Sequence, residues 1–221
     1  MPYTFCPSIR KARFSVTVAA ALLALIALPN AASAAACKDT PTSTIFAAYG
    51  DFAQYKLFPN GDFDFGATGW NLDNAVVDPD FSLKHSDAPQ LVANGQEKSL
   101  RLNTQSRVVS SPYCVSDLLP SFRLFAFKRG GGAGNLTIKL SALSLTGKKL
   151  VTKVASLSPS SFTKWAPTPV IPLATALPLA VGETAQVRLI FEYGFKPDGT
   201  ADPTVVGPWR IDEVHVDPYR R

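Results

Sequence analysis

Short runs in which apolar and polar residues alternate constrain this chain more than any other feature of its sequence. The alternation is clear in residues 121–128, 136–143 and 185–193. A period of two places successive side chains on opposite faces of an extended strand. The 18 prolines lie outside these runs, where they suit loops and strand edges and exclude long helices. The sequence therefore predicts an all-β fold, an antiparallel β-sandwich or jelly roll.

Glycine-bearing loops separate the alternating runs. The stretch KRGGGAGN joins 121–128 to 136–143 and lacks the Lys-Ser/Thr pair of a phosphate-binding loop. We expect it to be the loop of a hairpin. The stretch LTGKK predicts a second hairpin turn, which leads into a strand over 150–157.

The first 34 residues have the pattern of a secretory signal peptide. Basic residues precede an apolar run at 16–28, and the small residues AASAAA follow. The run is shorter than the ~20 residues of a membrane-spanning helix. We expect a signal peptide over 1–34 and a single β-sandwich domain over 35–221, without a transmembrane segment, in a secreted or extracytoplasmic protein.

The charge balance argues against nucleic acid as a partner. The full chain carries a net charge of +5, but three of its basic residues lie in 1–34. Residues 35–221 hold 19 Lys and Arg against 17 Asp and Glu. Their basic residues form no cluster larger than Gly147-Lys148-Lys149, so we expect no nucleic-acid binding.

Two cysteines, Cys37 and Cys114, lie beyond the predicted signal peptide. In an oxidising compartment we expect them to form one disulfide. The bridge would close a loop of roughly 80 residues and contribute roughly 4 kcal/mol in the chain-entropy model. An alternative makes Cys37 a lipid-bearing terminal cysteine, but Ala34 stands where such sites carry a bulky aliphatic residue, so lipid anchoring is not expected.

Acidic residues concentrate in two stretches, PNGDFDFGATGW (59–70) and PWRIDEVHVDP (208–218). In the second stretch the apolar parity changes between Ile211 and Val214. Either a bulge lies near Asp212–Glu213 or the strand is covered on both faces. Both alternatives turn one acid inward, where it needs a cation or several hydrogen-bond donors.

These stretches resemble carbohydrate-binding modules with the galactose-binding-like jelly roll. NGDFDFGATGW resembles their opening Asn-Gly-Asp-Phe-Glu and later Gly-Trp, and WRIDEV resembles their closing strand. Residues 37–218 are similar to a group of secreted bacterial proteins of this fold, through CKDTPTSTIFAAYGDFAQYKLFPNGDF, SSPYCVSDLLPSFRLFAF and WAPTPV. The resemblance implies a secreted, non-catalytic sandwich with binding-module ancestry and a polysaccharide or cell-wall glycan as its partner.

The same resemblance implies a structural Ca²⁺ where the first stretch meets the last strand. Asp64 stands at the family's Glu position, Asp212 at its Asp position, and Gly61 offers a backbone carbonyl. Asp for Glu shortens the side chain, and Ca²⁺ takes about six to eight oxygen ligands. The alternative makes Asp62 and Asp64 turn and strand-edge residues, with Asp212 hydrogen-bonded to backbone amides.

No residue is assigned a catalytic role. Glycoside hydrolysis needs two carboxyl groups about 5 to 9.5 Å apart across an open cleft, whereas Asp64 and Asp212 are expected to meet at a sheet margin. No Gly-x-Ser-x-Gly occurs, and His85 and His215 lack metal-ligating companions. A small glycosidase or lyase is the least favoured alternative.

A candidate glycan-binding face combines Arg123 and Phe125 with Arg188 and Glu192. Aromatic rings stack on sugar C–H groups and charged side chains bond hydroxyls. Alternatively, Arg188 and Glu192 pair across a solvated sheet while a loop covers the phenylalanines. We expect packing to account for all three tryptophans. An exposed apolar patch or open edge strand would favour a structural or adhesive cell-envelope protein.

Overall fold

Eleven β-strands and two 3-10 helices form the regular structure in the described part of the chain. The computed structural model describes residues 42–86, 88, 97–116, 121–130, 132–143, 149–173, 176–177 and 184–217. The strands are β1 (Lys56–Leu57), β2 (Trp70–Asp78), β3 (Ser99–Ser110), β4 (Tyr113–Ser116), β5 (Ser121–Lys128), β6 (Leu136–Leu143), β7 (Lys149–Leu157), β8 (Ala166–Pro167), β9 (Ile171–Pro172), β10 (Thr184–Tyr193) and β11 (Trp209–Asp217). The 3-10 helices are Ala47–Tyr49 and Pro159–Ser161.

Two of the predictions fall on segments beyond these ranges. The predicted signal peptide, 1–34, lies outside the described residues, so its export role stays a prediction. Cys114 lies on β4, opposite Gln186 of β10, but Cys37 also lies outside the described residues. The disulfide between them therefore stays a prediction. Among the described residues, no helix has the length and apolar character needed to cross a membrane.

Antiparallel pairing joins the strands into a sheet that divides into two halves at the β2–β3 hairpin. The start of β3 pairs with β11, and its end pairs with β10. One half continues from β11 to β5 and on to β8 and β9; the other continues from β10 to β6 and β7. Strand β4 pairs with β10, so the chain crosses between the halves after β4, β5, β7, β9 and β10, as in a jelly roll. The predicted all-β antiparallel sandwich is confirmed.

One hydrophobic core lies between the two halves. Alternate residues of each strand enter it, which is the burial that a period of two predicts. Trp70 and Trp209 are core residues, and their indole Nε1 groups donate to the carbonyls of Asn60 and Gly134 at 3.0 Å each. Burying one large apolar side chain stabilises the fold by about 1.5–3 kcal/mol. Central members of the core are Leu100, Leu102, Phe122, Leu124, Ile138, Leu140, Leu189, Phe191 and Ile211.

The glycine-rich loop after β5 does not close the predicted hairpin. β5 pairs with β11, β8 and β9, whereas β6 pairs with β7 and β10. The loop instead carries the chain from one half to the other, because local alternation identifies strands but not their partners. At Gly134 a Cβ would lie 1.9 Å from Val205, so a side chain does not fit there. The pairing of β6 with β7 confirms the second predicted hairpin.

The segment that precedes β1, residues 42–55, covers the outer face of β5, and we call it the amino-terminal segment. Phe46 and Tyr55 form a second buried cluster with Phe125, and the Phe46 and Phe125 rings stack at 5.9 Å. Beneath it, Arg123 Nη1 donates to Asp51 Oδ2 at 2.8 Å. Tyr55 Oη donates to the same carboxylate oxygen at 2.6 Å. A buried, hydrogen-bonded ion pair thus ties the segment to the sheet.

A lysine occupies the end of the inner face of β5. Lys128 is buried, and its Nζ donates to the carbonyl oxygens of Val206 and Gly207 at 2.5 and 2.8 Å. Its ammonium lies 5.0 Å from the Tyr193 ring centroid. Burial lowers the Lys128 pKa to about 8. The lysine and the tyrosine hydroxyl, which donates to the same two carbonyls, fasten the β10–β11 connection to the sandwich.

We predict that Asp51→Ala lowers the free energy of unfolding by about 3 kcal/mol, because it leaves the Arg123 guanidinium buried without its carboxylate. Urea denaturation measures the change. Asp73→Ala, which removes an exposed carboxylate from β2, is the control and should shift stability by no more than about 0.5 kcal/mol. Equal losses in the two variants would contradict a stabilising role for the ion pair.

Candidate functional site

The two acidic stretches meet at one corner of the sandwich. Phe58 N donates to Val214 O at 2.8 Å, and Val214 N donates to Gly61 O at 2.9 Å. A Cβ on Gly61 would lie 2.5 Å from the Val214 carbonyl oxygen, so this approach requires glycine. The backbone therefore holds the loop after β1 against the last strand.

Both alternatives for the parity change in the last strand hold. The β5–β11 register shifts between Asp212 and His215, and Glu213 adopts a left-handed φ of 49°. That combination is a β-bulge. Every residue of β11 is also buried: the core covers one face, and on the other the Phe46 ring contacts His215.

Four carboxyl groups share this corner, which we call the acidic corner (Asp62, Asp64, Asp212 and Glu213). Burial, then the carboxylates of Asp62 and Glu213, raise the pKa of Asp64 to about 6. Burial, then Glu213, raise the pKa of Asp212 well above its ordinary value. Buried Oδ1 atoms of Asp62 and Asp64 have no hydrogen-bond partner. The corner therefore concentrates negative charge that its hydrogen bonds only partly stabilise.

The acidic corner has few donors. Asp212 Oδ1 accepts from the Glu213 amide at 2.9 Å, and Glu213 Oε2 lies 2.7 Å from His215 Nε2. Lys98 Nζ donates to the Asp64 backbone carbonyl at 3.1 Å. Across the described ranges, no three His, Cys, Asp or Glu side chains are grouped to hold a metal. Asp64, Asp212 and Gly61 lie at the same corner. Because the described side chains there form no cluster of metal ligands, the Ca²⁺ site stays a prediction.

The predicted glycan-binding face is not assembled. Arg123 and Phe125 are buried beneath the amino-terminal segment, and they lie in the other half of the sandwich from Arg188 and Glu192. Periodicity alone could not reveal the segment that covers them. Arg188 and Glu192 do not pair with each other either, although the alternative predicted that pairing. Arg188 Nη1 donates to the Ser110 carbonyl, and Glu192 forms ion pairs with the side chains of Lys139 and Arg107.

A cationic and aromatic surface, which the sequence did not single out, lies where that cover ends on β5. We call it the Phe81 patch (Phe81, Phe127, Arg129 and Trp165). The Arg129 guanidinium carbon lies 3.6 Å from the Phe81 ring centroid. The Trp165 and Phe127 rings lie 5.8 Å apart. Trp165 Nε1 donates to the Phe81 carbonyl at 3.1 Å. Trp165, unlike the other two tryptophans, thus stays half-buried at the surface.

Phe81 is held in a conformation that phenylalanine rarely adopts. Its φ is 55°, and its side chain is 50% exposed. The turn that imposes this backbone is closed by Asp80 N donating to Asp78 Oδ1 and by Ser82 Oγ donating to the Pro79 carbonyl. This conformation is costly for a bulky residue, and residues held in such conformations cluster at functional sites. The stretch DPDFS carries the turn signal, but nothing in it predicts where the ring points.

Comparisons with known proteins give weak likenesses in fold. No family model and no curated protein matches the chain. The CBM22-1–GH10 modules of Clostridium thermocellum endo-1,4-beta-D-xylanase 10B with xylohexaose are 12% identical, with a TM-score of 0.46 over 71% of this chain and 27% of that chain. A family 16 carbohydrate-binding module is 11% identical, with a TM-score of 0.44 over 73% and 99%. TmCBM61 with β-1,4-galactotriose is 13% identical, with a TM-score of 0.37 over 75% and 98%.

We predict that Asp64 makes stability depend on pH in a direction opposite to that of an ordinary ion-paired carboxylate. Its pKa is raised from 3.8 to about 6, so the folded state binds more protons than the unfolded state between these values. Stability therefore falls as the pH rises from about 4 to 6. In EDTA, Asp64→Asn should be more stable than wild type at pH 7, and the gain should shrink at pH 4.

Thermal unfolding at both pH values measures this difference, with Asp73→Asn as the exposed-carboxylate control. A gain from Asp64→Asn that is equal at pH 4 and pH 7 would show that titration of Asp64 is not its cause.

Proposed function

We propose that the chain is a secreted, non-catalytic β-sandwich protein that binds a polysaccharide or cell-wall glycan at the Phe81 patch. The observation that carries the proposal is Phe81 itself, half-exposed in a strained backbone and fixed by Arg129 on its ring and Trp165 on its carbonyl. A rigid exposed ring offers a sugar ring an apolar surface for its C–H groups. Preorganisation lowers the entropy lost on binding.

The composition of the patch supports a sugar more than a purely apolar ligand. Trp165 and Phe127 extend the apolar surface beside Phe81, and the Arg129 guanidinium supplies hydrogen-bond donors at its edge. Glycan sites combine such rings with a small number of polar groups that fix orientation. The burial of Asp212 and Glu213 supports a non-catalytic role, because a catalytic pair of carboxyl groups must face an open cleft.

We further propose that the acidic corner holds Ca²⁺ through Asp64, Asp212 and the Gly61 carbonyl. The unpartnered carboxylate oxygens and the accumulated like charge fit a divalent cation. Backbone carbonyls and water would supply the other ligands, since Ca²⁺ accepts both. When bound, the ion would neutralise the carboxylates and cross-link the first loop to β11.

We expect Ca²⁺ to raise the melting temperature at pH 7 and EDTA to reverse the increase, because the ion binds only the folded corner. Asp64→Asn and Asp212→Asn should abolish the response, whereas Asp73→Asn should keep it. Calorimetric scans with and without the ion measure it. A melting temperature that is unchanged by Ca²⁺ in wild type would remove the metal site.

A second candidate function is adhesion to a protein partner in the cell envelope. Strand β7 lies at an end of the strand order, and Leu150 and Val151 on it are exposed. Open edges with exposed apolar side chains pair with other chains. Lys149 and Lys153 on the same strand oppose such pairing. The glycan function is therefore preferred.

We predict that Phe81→Ala weakens glycan binding by about tenfold or more, because it removes the ring on which the sugar stacks. Phe52→Ala is the matched control, since Phe52 is 75% exposed and lies outside the patch. An array of plant and bacterial cell-wall polysaccharides identifies the ligand, and calorimetric titration then gives affinities for wild type and both variants. An array without any bound glycan would favour the adhesive function, and equal losses in both variants would remove the patch as the site.

A further inference from the structure

Two arginines with incomplete hydrogen bonding lie beside the Phe81 patch. Arg210 is fully buried on β11, and its Nη1 donates to Asp78 Oδ1 at 2.7 Å and to Ser99 Oγ at 3.2 Å. Its Nε and Nη2 have no hydrogen-bond partner. Arg101 Nε is also buried without a partner. Buried polar groups are nearly always paired, so unpaired guanidinium N–H groups indicate a missing acceptor.

The strand register brings these groups to one place on the outer face. Arg210 lies directly opposite Arg101 of β3 on one side and opposite Phe127 of β5 on the other. Directly opposite residues share a face of the sheet. The Phe81 ring lies over the outer end of this row, with its centroid 3.6 Å from the Arg129 guanidinium carbon and 5.9 Å from that of Arg210.

The charge of this row is not balanced by the side chains that contact it. Asp78 accepts ion pairs from both Arg101 and Arg210, at 3.1 and 2.7 Å. The Arg129 guanidinium contacts the Phe81 ring. Within the described residues, Arg101 and Arg210 thus share the single carboxylate of Asp78, and Arg129 pairs with none. Guanidinium groups bind carboxylates and sulfates through paired N–H donors.

We propose that the Phe81 patch selects glycans that carry an oxyanion, that Arg129 and Arg101 bind it, and that the buried Arg210 adds positive charge beneath the Phe81 ring. The inference rests on the proposed glycan function and names the ligand's chemical class, a saccharide with a carboxylate or a sulfate. The oxyanion supplies an acceptor to a row of guanidinium groups whose positive charge Asp78 only partly balances. The Phe81 ring keeps its place as the stacking surface, so Arg210 acts through its charge and not through direct contact with the ligand.

Two pairs of polymers that differ only in charge test the proposal. Polygalacturonate is compared with its fully methyl-esterified form, and dextran sulfate with dextran, in EDTA and at low and high NaCl. We expect an anionic form to bind at least about tenfold more tightly than its neutral counterpart. The difference should shrink in high salt. A preference confined to one pair identifies the oxyanion as carboxylate or sulfate.

Variants assign the preference to the site. Arg129→Gln should remove most of the preference while leaving the melting temperature unchanged, because Arg129 is exposed. Lys149→Gln removes the same charge from β7, far along the strand order, and should keep the preference. An equal loss in both variants would show a general charge effect and overturn the inference.

The failure of the inference and the failure of the proposed function have different signatures. Equal binding of the charged and neutral polymers would overturn oxyanion selection and leave glycan binding intact. Absence of binding to all four polymers would overturn oxyanion selection, and the cell-wall array with Phe81→Ala would then decide the glycan function separately.

Discussion

The structure depends on a closing strand that is buried on both faces and still carries charge. All nine residues of β11 are buried, and its charged or titratable members are Arg210, Asp212, Glu213, His215 and Asp217. Such groups are tolerated inside a protein only when partners surround them. The core covers one face of the strand. Arg210 is paired with Asp78 at the end of β2, whereas Asp212 accepts a hydrogen bond within β11, from the Glu213 amide at the bulge.

The same constraint explains why the amino-terminal segment is part of the sandwich. Its Phe46 and Tyr55 seal the outer face of β5 around Phe125, and Asp51 neutralises Arg123. The cover ends at Phe127, which stays half-buried beside Trp165. The Phe81 patch is therefore the part of the outer face that the segment leaves open. Strand β5 contributes Phe127 to this patch, and the loops beside it contribute Phe81, Arg129 and Trp165.

The sequence predicted what depends on local order along the chain. Period-two alternation identified β5, β6 and β10, and the parity change at Asp212–Glu213 located the bulge. The turn at LTGKK also predicted the pairing of β6 with β7. Alternation did not predict the partners of β5, because it is the same whether β5 pairs with β6 or with β11. Nor did it predict the burial of Arg123 and Phe125, which requires knowing that a distant segment lies over them. The sequence did not single out Phe81, because DPDFS has the residues of an ordinary turn and does not show that the backbone at Phe81 is strained.

The three tryptophan indoles provide the most direct test of glycan binding at the Phe81 patch. Trp165 donates its N–H to the Phe81 carbonyl, whereas Trp70 and Trp209 donate to Asn60 and Gly134 in the core region. Their N–H resonances therefore report on different parts of the molecule during titration with an oligosaccharide of the bound glycan. Binding at the patch predicts a saturable shift of the Trp165 resonance with little change in the other two. A saturable shift of Trp70 or Trp209 without Trp165 would contradict it.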